Sequence, residues 1–212
     1  MEEEKKKSKK GVIILALLLI VCVSIGYAAL TAQLNIDGAT KIKGNTWSID
    51  IPNDNFDLTD PACTDTTTGV GCPLKDDQQD VGGEAEVTQE PTKVSTPDGE
   101  VKVEWAVTLH TPGDYYEFTV DAENDGSVDA KLSEVTVNGI TTAQQAYARY
   151  SVTYDDGSAI GVGDTLAAGT TKTVKVRVEF RSDVANSDLP TSDVDLGDSS
   201  KKLTVSMRYV QD

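Results

Sequence analysis

From Leu30 onward the chain is written in period two. Leu30, Ala32, Leu34 and Ile36 alternate with Thr31, Gln33, Asn35 and Asp37, and Trp47, Ile49 and Ile51 repeat the pattern. Alternation of this kind sends every second side chain to one face of an extended strand. The rhythm returns in Val101, Val103, Trp105, Val107 and Leu109, and again in Tyr116, Phe118, Val120 and Ala122. It continues through Val135 and Val137, Tyr150, Val152 and Tyr154, Val174, Val176, Val178 and Phe180, and finally Leu203, Val205, Met207 and Tyr209. About eight or nine strands follow, each with one apolar face. Between them lie Pro97-Asp98-Gly99, Pro112-Gly113-Asp114, Asn124-Asp125-Gly126, Asn138-Gly139 and Asp155-Asp156-Gly157. Asn, Asp and Gly tolerate the positive φ that tight turns impose.

A strand with one apolar face needs a second sheet to cover it. The expected fold is therefore all-β, a jelly-roll or immunoglobulin-like β-sandwich over residues 31–212. Residues 141–149 (TTAQQAYAR) alone read as a helical turn or two. A faint internal echo places Phe118, Val120 and Ala122 after Gly113 at the offsets of Val174, Val176 and Val178 after Gly169; shared strand grammar explains it without duplication. Two stretches break the alternation. Residues 53–90 hold Pro61, Pro73 and many Asp, Thr and Gly with few large apolar side chains, which predicts an exposed loop insertion. Residues 182–200 are acidic and small in the same way, a loop before the last strand.

The front of the chain differs in kind. Residues 1–10 carry five lysines, and 11–30 form an apolar stretch without a charge. A basic segment, an apolar helix and then small residues make the pattern of an export signal. Gly26-Tyr27-Ala28 puts small residues at the right spacing for a cut between Ala28 and Ala29. Left uncut, a helix over 11–30 is long enough to span a bilayer core of about 30 Å and would anchor the chain in the membrane. Both alternatives predict an extracytoplasmic domain, secreted or held at the cell surface. A lipid-attachment box at Cys22 is spoiled by Val21, and a prepilin reading of Lys10-Gly11 finds no Glu in the helix.

Net charge sharpens this. The first 28 residues contribute +2 of a total of −16, leaving −18 for the remainder. Nucleic acid is excluded as a partner, because phosphate binding needs clustered Lys and Arg. Cys63 and Cys72 flank the Gly-rich TDTTTGVG and are expected to form a disulfide in an oxidising compartment. His110 is the only histidine, with no H-E-x-x-H and no G-x-S-x-G. The chain is thus expected to be no enzyme and to have no metal centre, cofactor or small-molecule substrate. Asp121, Glu123 and Asp125, Asp54, Asn55, Asp57 and Asp60, and Asp193, Asp195 and Asp198 have ligand types suited to calcium, though acidic loops of this kind are ordinary on secreted proteins. Trp47, Trp105, Tyr116, Phe118 and Tyr150 stand on the apolar phase of their strands and are expected in the core rather than on a carbohydrate platform. The acidic balance favours cationic or neutral partners.

The junction Ser24-Ile25-Gly26-Tyr27-Ala28-Ala29-Leu30, the strand Leu34-Asn35-Ile36-Asp37-Gly38 and the run from Tyr116 to Ala130 (YEFTVDAENDGSVDA) resemble exported Gram-positive surface proteins with a SipW-type signal, the TasA and camelysin-like group. The resemblance implies a jelly-roll-like sandwich and processing by a dedicated signal peptidase. In fibre-forming members it also implies polymerisation into biofilm matrix through a free N-terminal strand, a part that residues 29–43 would play here. Camelysin relatives are described as candidate metalloproteases; this chain offers no zinc ligands, so that activity is not carried over.

Overall fold

In a computed structural model, the structure describes Ile14, residues 18–20, 44–192, 194–197 and 200–212. Ile14 and residues 18–20 are helical and exposed. Among the described residues no helix is long and apolar enough to cross a membrane. The rest of the 11–30 segment, the Ala28–Ala29 junction and the alternating stretch 30–36 lie outside the described residues.

The chain from Asn45 to Asp212 forms one compact unit, mostly β, with two antiparallel sheets, one of them curled into a half-barrel. Ten strands are described: β1 (Ile49–Asp50), β2 (Gln79–Gly82), β3 (Glu86–Lys93), β4 (Glu100–Thr108), β5 (Tyr115–Asn124), β6 (Ala130–Asn138), β7 (Ala148–Tyr154), β8 (Thr165–Leu166), β9 (Thr170–Phe180) and β10 (Leu203–Gln211). The first sheet runs β1-β5-β9-β7 with β2 also on β5; the second runs β3-β4-β10-β6-β8.

The apolar phase read from the sequence is the core. Val101, Val103 and Trp105 of β4, Tyr116, Phe118, Val120 and Ala122 of β5, Val174, Val176 and Val178 of β9, and Leu203, Val205, Met207 and Tyr209 of β10 are all buried. They form one cluster between the sheets. Trp105 lies at its centre, edge-on to Phe118 at 4.9 Å and to Tyr150 at 5.6 Å. Its indole N–H has no acceptor. The aromatic residues fill the core, as the strand phase predicts, and Trp47 packs against it half-buried.

Three local details depart from simple alternation. Strand β6 changes phase: Ala130 and Leu132 are buried, but the next side chain packed on the core is Val135. The register slips there, Leu132 facing Tyr209 and Glu134 facing Arg208, so Ser133 is the extra residue of a bulge. The expected helical turns over 141–149 reduce to one 3-10 turn, Gln144–Ala146, and Ala148 already belongs to β7. The Gly113/Gly169 echo has a geometric counterpart, because β5 and β9 pair antiparallel with Phe118 opposite Val176. Gly113 N–H donates to the Phe180 carbonyl at 2.8 Å and Gly169 N–H to that of Asn124 at 2.7 Å, closing the two ends of the ladder in the same way.

The expected exposed insertion over 53–90 is corrected. Asn55, Phe56, Cys72 and Leu74 are buried, and residues 79–90 contain β2 and most of β3. The stretch escapes notice in the sequence because its few apolar residues are scattered and its strands are polar edge strands, one carrying Pro91. Residues 181–202 contain no strand among those described, as expected.

Candidate functional site

The registers give the unit two poles. Strand β5 ends at Asn124 against Ile49, and β9 begins there, so the chain enters at the pole that also holds the turn at Gly99 and the end of β10. At the far pole lie the β4–β5 turn, the start of β7 and the long loop 181–202.

At the entry pole the lead from Thr46 to Ile51 is tied down piece by piece. Thr46 and Ser127 exchange bonds, Thr46 N–H to the Ser127 hydroxyl at 2.9 Å and Ser127 N–H to the Thr46 carbonyl at 3.0 Å. Trp47 lies over Gly99, where a Cβ would come within 3.1 Å of the indole and φ is +86°. Ile49 and Ile51 enter the core. Lys93, the last residue of β3 and 7% exposed, spends its three N–H donors on Asp50 Oδ2 at 2.6 Å, Thr68 O at 2.8 Å and Ile51 O at 3.2 Å. A buried lysine is tolerated when every donor is used. Nothing in the sequence marks Lys93 apart from its place at the end of a polar strand.

Thr68 belongs to the ring closed by the Cys63–Cys72 disulfide, which the structure contains. The acids of this region are spent locally. Asp57 Oδ1 accepts from the Thr59 hydroxyl and N–H, Asp60 Oδ1 from Ala62 N–H, and Asp65 from Thr67 N–H and the Thr68 hydroxyl. These bonds, the Thr hydroxyl first in each case, hold Asp57 and Asp65 below the usual carboxylate range. Asn55 Oδ1 takes the Asp121 N–H at 2.7 Å while its Nδ2 reaches Asp121 Oδ2 at 3.1 Å. Asp121 also accepts from the Thr173 hydroxyl. Among the described residues no three His, Cys, Asp or Glu side chains converge on a cation; Asp193 and Asp198 lie outside them.

At the far pole β4 outruns its neighbour. The β10 ladder ends at Leu203 opposite Trp105, whereas β4 continues to Thr108, paired there only with Glu86 of β3. On that side, where no described strand pairs with β4 beyond Trp105, lies a groove of about 900 Å³ lined by Val107, Leu109, Tyr147, Phe180, Pro190 and Leu196, with His110, Asp195 and Lys201 among its polar groups. Lys201 pairs with Asp195 at 3.1 Å. His110 is half-exposed, with Nε2 4.0 Å from Glu86, and its N–H donates to Asp114.

Asp114, 1% exposed, organises this pole. Its Oδ2 accepts from His110 N–H at 2.7 Å and Thr111 N–H at 2.8 Å, and its Oδ1 from Glu84 N–H and the Thr111 hydroxyl, both at 2.9 Å. Burial raises the pKa of this carboxyl, but the four donors together outweigh it and lower it to about 2. The sequence shows Asp114 only as a turn residue.

The outward faces of the strands are charge-compensated. Arg177 bonds Glu179 at 3.0 Å and Glu117 at 3.3 Å and lies over the Tyr115 ring, Arg149 bonds Glu179 at 2.9 Å, and Lys175 lies 3.3 Å from Asp155. On the other sheet Lys202 pairs with Glu104 and Arg208 with Glu100. The chain matches no family model, and no curated protein or solved structure matches it significantly.

Proposed function

We propose that this chain is a non-enzymatic extracytoplasmic protein, secreted or anchored at a cell surface through residues 11–30, whose jelly-roll or immunoglobulin-like sandwich serves a structural or adhesive role. In this reading the chain assembles head to tail with its own copies, residues 29–43 of one molecule adding a strand to the next. One observation carries the proposal: the lead that follows 29–43 enters at one pole, while the stretch of β4 beyond Trp105 that no described strand pairs on its β10 side, and the groove beside it, lie at the other. A donor and an acceptor on opposite ends make a heterologous contact, which builds a filament wherever the rotation between copies does not close a ring. The disulfide supports an oxidising compartment, and the spent carboxylates and lone histidine leave little for catalysis among the described residues.

The test is assembly of residues 29–212 followed by sedimentation and electron microscopy. Fibres that disappear when 29–43 is deleted support the reading. Fibres that persist without that segment overturn the strand exchange, and a strictly monomeric 29–212 overturns the polymer. N-terminal sequencing of protein recovered from cells reads the Ala28–Ala29 cut directly.

A further inference from the structure

We propose that the Cys63–Cys72 disulfide is a reducible clasp on the N-terminal lead of the domain and that it acts through Lys93. The inference stands whether or not the chain polymerises.

The ring from Cys63 to Cys72 meets Lys93 twice. Gly71 N–H donates to the Lys93 carbonyl at 2.9 Å, and the Thr68 carbonyl accepts from Lys93 Nζ at 2.8 Å. The other two Nζ bonds go to Asp50 and Ile51 of the lead. One buried side chain therefore joins the ring to the lead, with all its donors in use. The ring has little packing of its own, since Thr64 and residues 66–68 are exposed and Cys72 is its one buried apolar side chain. The bonds that also shape it, from Thr67 N–H and the Thr68 hydroxyl to Asp65 and from Asn53 Nδ2 to Thr67 O, are solvent-exposed. Segments with few buried contacts open at low cost, so the covalent bond is the strongest constraint keeping Thr68 O aimed at the lysine.

A dithiol such as dithiothreitol reduces the bridge with two electrons and two protons, leaving two thiols and the oxidised cyclic dithiol. Once the ring relaxes, Lys93 loses one of its three acceptors. A buried donor without a partner is costly, and the side chain has an exit: Asp50, its charged partner, is 58% exposed in its side chain. Following Asp50 outward breaks the contact with Ile51 O and loosens β1, whose ladder on β5 is two residues long.

Hydrogen exchange of the full-length protein tests this, with and without dithiothreitol. The expected result is at least a tenfold faster exchange of the 49–51 amides on reduction, reversed on reoxidation, with the β9 amides unchanged. Equal rates in the two states overturn the proposal, and so does acceleration spread evenly over 49–51 and β9, which would mean general destabilisation. Lys93→Met is expected to release the lead in both redox states, so that reduction adds nothing at 49–51; a persistent redox effect in that variant removes Lys93 from the coupling.

Discussion

Residues 53–78 and 181–202 share a composition, acidic and rich in small polar residues, yet they do opposite things. The first packs Phe56, Cys72 and Leu74 into the core, places Asn55 against β5 and is stapled by a disulfide. The second contributes partly buried Leu196 and Pro190 to the wall of an open groove and has no strand among its described residues. The difference lies in what the acids face. In 53–78 Asp57, Asp60 and Asp65 each stand two residues before a Thr or Ala whose N–H they accept, so these three carboxylates build turns beside the residues that point inward. In the later loop Asp183 and Asp195 pair with basic side chains instead, Arg181 and Lys201. Composition does not separate a folded loop from a lining loop; the spacing of acids to the amides they accept does.

Core truncation should widen this contrast most. Phe56→Ala is expected to cost about 3–5 kcal/mol in urea unfolding, while Val194→Ala, 41% exposed, should stay within about 0.5 kcal/mol. Similar losses at the two sites would erase the distinction. Next comes the staple: replacing Cys63 and Cys72 by Ala together should cost about 2.5–3 kcal/mol for a closed ring of this length, against little for exchanging residues 184–188 for Gly and Ser.

Asp114 gives an intermediate, pH-dependent effect where the later loop leaves its sheet. Its pKa is lower folded, about 2, than the ordinary 3.8. The stabilisation is complete above about pH 4 and is lost as pH falls toward 2. Asp114→Asn should remove about 2 kcal/mol at neutral pH and flatten the stability profile between pH 4 and 2; an unchanged acid limb would show that other carboxylates dominate it. A smaller loss within the folded stretch is expected for Asn55→Ala, about 1–2 kcal/mol, from stranding the Asp121 N–H. Trp105→Phe sharpens the reading of the core, since it removes a donor with no acceptor and should be tolerated far better than Trp105→Ala.

Strands buried on one face were legible at residue resolution, and the apolar phases of β4, β5, β9 and β10 are the buried sets. Polar edge strands were not. Gln79–Gly82 and Glu86–Lys93 owe their extended form to the ladders they join, with β5 and β4, and carry little alternation of their own. The Ser133 bulge hides for a related reason, because a single extra residue makes the apolar spacing three instead of two. The cysteine pair was readable from its spacing and flanks. Lys93, Asp114 and Asn55 were not, since each gains its role from partners 25 to 66 residues away or from a local turn whose geometry the sequence leaves open.

Asn55 also decides where the first sheet stops growing. On the outer side of β5, β1 covers one end, β2 the other, and in the interval the carboxamide of Asn55 takes the Asp121 N–H and donates to the Asp121 carboxylate. An intruding chain would have to evict a buried side chain that already holds the backbone donor it would need. The gap between two short strands on that flank is thus occupied by one carboxamide, where a lysine or proline more often guards such a border.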